Sequence, residues 1–151
     1  MEFKEFQDII DFAVEKEKEA VSFYEEAAEV QTMAGPRKMF KEFAAEEQKH
    51  VRMLENIGQE DVSDYNFEWI PDMKRSNFLV DIPYEKNMSY KDMLHLAIKR
   101  EEKALALYND LLRQAEKPEF KNVFKMLCQE EANHKLKLET LFDDYMAEMG
   151  D

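Results

Sequence analysis

The chain has 151 residues, 36% of them charged, and a formal net charge of −13. So acidic a chain cannot neutralise a run of nucleic-acid phosphates and is repelled by an anionic membrane surface. With only 3 glycines and 4 prolines it reads as long helices with solvated outer faces, and its length fits a single domain over residues 1–151.

The first helix is expected from residue 5 to about 32. Its inward stripe is Phe6, Ile10, Ala13, Glu17, Ala20, Tyr24 and Ala27, in alternating steps of 4 and 3. Gly35 and Pro36 then read as a break, with Pro36 at a first helical position. The short link makes the second helix, about 37–57, antiparallel to the first, with Gly58 as its cap. Its stripe is Phe40, Phe43, Glu47, His50, Leu54 and Ile57.

Residues 59–88 carry no sustained periodicity and contain Pro71, Pro83 and Trp69. A link this long suits a crossover that returns along a bundle and starts the next helix at the far end. Ser89, with Asp92 three residues on, opens the third helix as a capping box. The stripe there is Leu94, Ala97, Glu101, Ala104, Tyr108 and Leu111. Lys117-Pro118 marks a tight turn, and the fourth helix, about 119–147, has the stripe Phe124, Leu127, Glu131, His134, Leu138, Leu141 and Tyr145.

The second pair of helices repeats the first at a shift of 84 residues. Glu17 matches Glu101, Tyr24 matches Tyr108, Phe40 matches Phe124, Glu47 matches Glu131 and His50 matches His134. A repeat kept through both helices is a stronger signal than either local motif. The fold expected is all-α: a four-helix bundle of two antiparallel helix pairs joined by a long crossover.

These stripes put Glu17, Glu47, His50, Glu101, Glu131 and His134 where leucines belong. Four buried carboxylates without a matching buried lysine or arginine are strongly unfavourable. Two divalent ions would balance them with both imidazoles neutral, and iron, manganese and, less distinctively, zinc suit such donors. Each Glu-x-x-His sets both side chains on one helix face, within reach of one ion. Tyr24 and Tyr108 stand seven residues beyond Glu17 and Glu101; core packing and a hydrogen bond to a metal-bound carboxylate account for them equally well. Glu46, Glu102 and Glu130 lie off the stripes and read as solvated, as does His95. Cys128 reads as a small buried hydrophobe, and no disulfide framework is available to it. The N-terminal MEFKEFQDII has no basic leader pattern and no stretch approaches the about 20 apolar residues of a membrane helix, so a cytoplasmic location is expected.

These residues resemble the ferritin-like superfamily, and within it the rubrerythrin family. The resemblance rests on Glu17, Glu47-x-x-His50, Glu101, Glu131-x-x-His134 and the tyrosine that follows the glutamate in helices one and three. It implies a non-haem di-iron centre held by those six residues, reaction with hydrogen peroxide or dioxygen, and a homodimer. Two departures stand out. Typical rubrerythrins carry a rubredoxin domain with four cysteine ligands; with Cys128 alone, an external electron-donor protein is implied. They also carry an extra glutamate one turn after the third-helix ligand, associated with peroxide reduction, where this chain has Ala104. The leading expectation is an oxidoreductase reducing peroxide or dioxygen. Iron oxidation or storage, and a structural dimetal site without activity, are the alternatives.

Overall fold

In the computed structural model, residues 6–57, 85 and 88–149 are described. They form four helices: α1 (Phe6–Val30), α2 (Ala34–Glu55), α3 (Tyr90–Gln114) and α4 (Pro118–Met149). No strand occurs among the described residues. The expected four-helix bundle is the fold observed.

The link between α1 and α2 is tighter than expected. Helix α2 begins at Ala34, with Met33 in extended conformation before it, so Gly35 and Pro36 lie inside its first turn. Pro36 costs nothing there, because the first N–H groups of a helix have no intrahelical acceptor to lose. The Arg37 side chain ties the turn by donating from Nε (3.1 Å) and Nη2 (2.7 Å) to the Gln31 carbonyl. At its other end α2 is closed by Asn56, whose backbone N–H and side-chain amide both donate to the Arg52 carbonyl. The cap assigned to Gly58 falls outside the described residues. Ser89 caps α3 as expected, its hydroxyl accepting from the Asp92 N–H at 3.1 Å. Pro118 is the first residue of α4, where its fixed φ suits a helix start.

Two apolar clusters occupy opposite ends of the bundle. One joins Ile10 and Ala13 of α1, Leu54 of α2, Leu111 of α3 and Phe124 and Leu127 of α4. The other joins Ala27 of α1, Phe40 and Phe43 of α2, Leu94 and Ala97 of α3 and Leu138 of α4. The start of α1 thus packs with the end of α2, the end of α3 and the start of α4. Helices α2 and α3 run parallel, and α2 ends where α3 does not begin. A lengthwise crossover meets this requirement; the crossover itself was assigned to 59–88, of which only 85 and 88 are described.

Where their side chains are described, the stripes read from the sequence are buried almost throughout. Ala20, Ile57 and Ala104 are only partly buried. Leu141 and Tyr145 are partly exposed, because α4, at 32 residues, outruns its neighbours of 22 and 25. His95, expected at the surface, is buried, since Met93 to Ile98 are enclosed on every face of that turn. Among the described residues, no helix is long and apolar enough to cross a membrane.

Phe124 has no exposed surface. Phe124→Ala should lower the free energy of urea unfolding by about 3–5 kcal/mol, from lost burial and a residual cavity. Met149→Ala, at an exposed position, should stay within about 0.5 kcal/mol. Equal effects would contradict this placement of the core.

Candidate metal centre

Between the two apolar clusters, at mid-height, all six polar stripe residues meet. Glu17, Glu47, His50, Glu101, Glu131 and His134 are each at most 3% exposed. They fall into two sets whose donor atoms lie within 4.8 Å of one another. Glu17, Glu47, His50 and Glu131 form one; Glu47, Glu101, Glu131 and His134 form the other. Glu47 and Glu131 belong to both. Two adjacent cations could therefore share these two carboxylates, each with its own glutamate and histidine.

Both imidazoles turn Nδ1 inward. His50 Nδ1 lies 3.1 Å from Glu131, 3.5 Å from Glu47 and 3.7 Å from Glu17. His134 Nδ1 lies 2.9 Å from Glu47 and 3.6 Å from Glu101. Yet both Nδ1 atoms, both Glu47 oxygens, and one oxygen each of Glu17, Glu101 and Glu131 are buried without a hydrogen-bond partner. Buried polar atoms are otherwise almost always satisfied. Close convergence without hydrogen-bond geometry is what ligands of a common cation show, so these residues fit the dimetal set read from the sequence.

The outer ring nitrogens explain why the imidazoles face this way. His50 Nε2 pairs with Glu130 Oε1 at 2.8 Å, and His134 Nε2 pairs with Glu46. A ring that donates from Nε2 to a carboxylate leaves the Nδ1 lone pair free for a metal, and the carboxylate raises its basicity. Glu46 and Glu130 are therefore not simply solvated, as their off-stripe positions had suggested. They stay partly exposed but reach across from α2 to α4 and back. The sequence did hold a signal for them: they recur at the same shift of 84. Glu102 has no acidic counterpart at that shift. It pairs at 2.5 Å with Lys135, whose side chain is buried against expectation.

The tyrosines supply a second pair of ties. Tyr24 donates to Glu101 at 2.5 Å, and Tyr108 donates to Glu17. A step of seven forward in α1 meets a step of seven back in α3, so these helices are antiparallel. Of the two readings open for the tyrosines, the hydrogen bond to a cluster carboxylate is the one observed. Burial, then the charge of Glu101 or Glu17, holds both phenols well above their usual pKa, so they remain donors.

The protons of the metal-free cluster follow from burial and pairing. Burial, with the charge of Glu47, pushes Glu17 up to about 8. Burial, with the charge of Glu101, lifts Glu131 well above the carboxylate range. Burial would raise Glu47 too, but the close approach of Glu17, His134 and His50 outweighs it and holds Glu47 low. Burial disfavours both imidazolium ions, yet the surrounding carboxylates outweigh it and hold His50 and His134 well above their usual value. Protons thus supply, without metal, positive charge that the carboxylates demand.

A cleft between α1 and α3 opens onto the cluster. Its volume is about 550 Å³, and Glu17, Glu47, Glu101 and Glu131 lie along it with Ala20 and Ala104. The two alanines stand at matching heights between the crossed tyrosine ties, which is why both remain partly exposed. Cys128 lies apart, its thiol donating to Asn109 at 3.7 Å; burial pushes its pKa up to about 11 and leaves it a poor nucleophile.

Residues 8–142 match the family model described as rubrerythrin. The chain belongs to the rubrerythrin family. A crystal structure from Thermotoga maritima, described as a ferritin-like diiron-carboxylate protein, has the same fold. It aligns with a TM-score of 0.74 and 21% identity, over 96% of this chain and 99% of that one. No curated protein sequence shows significant similarity. Like the rubrerythrin fold itself, the buried carboxylate–histidine cluster of this family member had been legible in its sequence.

Glu131→Ala removes a carboxylate common to both sets and should cost the protein at least one metal, read by elemental analysis. Tyr24→Phe should keep the metal content unchanged while altering the optical spectrum of the loaded centre. Loading should also release protons, because His50, His134 and Glu17 hold them at neutral pH without metal. The apparent affinity should therefore weaken as pH falls. Metal uptake without proton release, followed in weakly buffered solution, would contradict the protonation described.

Proposed function

We propose that this protein is a non-haem di-iron oxidoreductase that reduces hydrogen peroxide or dioxygen with electrons from an external donor protein. The observation that carries the proposal is the pair of four-residue donor sets sharing Glu47 and Glu131, open to a cleft. Family membership supports it. In this reading Glu17 and His50 would hold one iron and Glu101 and His134 the other, with Glu47 and Glu131 belonging to both donor sets. A pair of irons, when bound, would supply the two electrons that reduction of a peroxide O–O bond requires.

The chain's own residues do the rest. The apolar clusters above and below exclude water and stop the carboxylates from relaxing outward. Tyr24 and Tyr108 each hold one oxygen of Glu101 and Glu17, leaving the other free to bind. Glu46 and Glu130 fix the ring planes of His134 and His50. Ala20 and Ala104 leave the approach from the cleft clear. At Ala104, typical members carry an additional glutamate, so here proton movement during reduction falls to the cluster carboxylates or to the oxidant's own solvent. The protein works in the cytoplasm, where a reduced donor is at hand.

The test is to reduce the iron-loaded protein without oxygen, add one equivalent of peroxide and follow the optical spectrum. A rapid new absorption band that reductant bleaches and peroxide restores over many cycles is expected. Iron uptake well beyond two per chain would favour iron storage instead. A metal centre inert to peroxide would make it structural.

A further inference from the structure

The cleft is far larger than its proposed oxidant. It encloses about 550 Å³, whereas a peroxide molecule needs about the space of two waters, ~60 Å³. A volume of this order is that of a site for an organic molecule. Its walls are mixed in character: Phe12, Leu96 and Leu107 offer apolar surface, and Ala20 and Ala104 leave depth between them.

Three cations, Lys16, Arg100 and Lys103, line the cleft together with Glu19 and the four cluster carboxylates. Lys16 is neutralised by Glu19 at 3.2 Å. Arg100 is not neutralised by any described carboxylate. Its guanidinium lies over the Phe23 ring, 4.8 Å from the centroid, reaching from α3 to α1. Its Nε is buried and has no hydrogen-bond partner. A planar cation held on an aromatic face, with an unused buried donor, is prepared for bidentate pairing with a carboxylate.

We infer that the cleft binds a small organic carboxylate with an apolar body. The carboxylate pairs with Arg100, assisted by Lys103. The body lies along Phe12, Leu96 and Leu107 and enters between Ala20 and Ala104, beside Glu17 and Glu101. This names a class of ligand for the proposed centre and rests on that reading only for what the ligand lies against.

The test uses the metal-loaded protein with octanoate and 3-phenylpropionate as probes, and octan-1-ol as the uncharged control, by calorimetry. At least one carboxylate should bind saturably, one per chain, and octan-1-ol should bind roughly tenfold more weakly or worse. Arg100→Gln should lose roughly tenfold in affinity by the same reasoning, and Arg100→Lys should recover part of it, which separates lost pairing from misfolding. Ala104→Leu, filling the depth of the cleft while sparing Arg100, should also weaken binding. The inference is overturned if neither carboxylate binds saturably, or if Arg100→Gln binds both as well as the unaltered protein. It is equally overturned if light scattering shows a dimer that Ala104→Leu dissociates, since the cleft would then be a seam between copies. Peroxide response, measured on the same samples without ligand, keeps the two claims apart. A responsive centre without carboxylate binding defeats only the cleft assignment, and binding without response defeats only the oxidoreductase.

Discussion

Four carboxylates share one small buried volume, and the rest of the structure is arranged to make that tolerable. An unpaired buried charge costs several kcal/mol even after relaxation. Glu17, Glu47, Glu101 and Glu131 would together erase the stability of an ordinary domain. The buried lysine nearby, Lys135, gives no relief, because its ammonium is paired with half-exposed Glu102. Positive charge must enter the cluster itself. Protons on His50, His134, Glu17 and Glu131 bring four positive charges, as two divalent cations would, but they leave donor atoms of the cluster without partners. The apolar clusters at either end can then close over the polar centre, with the cleft between α1 and α3 left as an approach to it.

The internal repeat gives this solution its form. Each tie around the cluster runs from one half of the chain to the other: Tyr24 to Glu101, Tyr108 to Glu17, His50 to Glu130 and His134 to Glu46. The two helix pairs are sewn together through the site rather than beside it. Folding of the halves onto one another and assembly of the donor set are therefore one event. Where the halves differ, the site acquires a direction. Lys135 answers to Val51 and Glu102 to Lys18, so the half of the bundle built on α3 and α4 carries a polar pair that the other lacks. Arg100 answers to Lys16, and only Arg100 lacks an acidic partner among those described.

Much of this was legible in the sequence because burial follows helical periodicity. Polar residues on an otherwise apolar stripe announce themselves, and a shift of 84 residues bound the six into one set. What stayed hidden lay off the stripes. Glu46 and Glu130 are long enough to reach an imidazole on the facing helix from a partly exposed position, which a pattern of inside and outside cannot express. Lys135 and His95 are buried by what packs around their turns, not by their place in the heptad. The start of α2 was misplaced for a local reason: Pro36 reads as a break, yet a first turn has no hydrogen bond for it to break. The cleft was invisible because alanine fits a stripe whether or not anything packs against it.

The central claim is that the cluster is completed by two cations. Its most direct test is to titrate the metal-free protein with ferrous iron without oxygen, following bound metal and melting temperature together. Saturation at two per chain, with the melting temperature rising as the sites fill, is the predicted result. A protein that takes up no iron, or takes it up without any gain in stability, would contradict the account, because its four carboxylates would then be satisfied by protons alone.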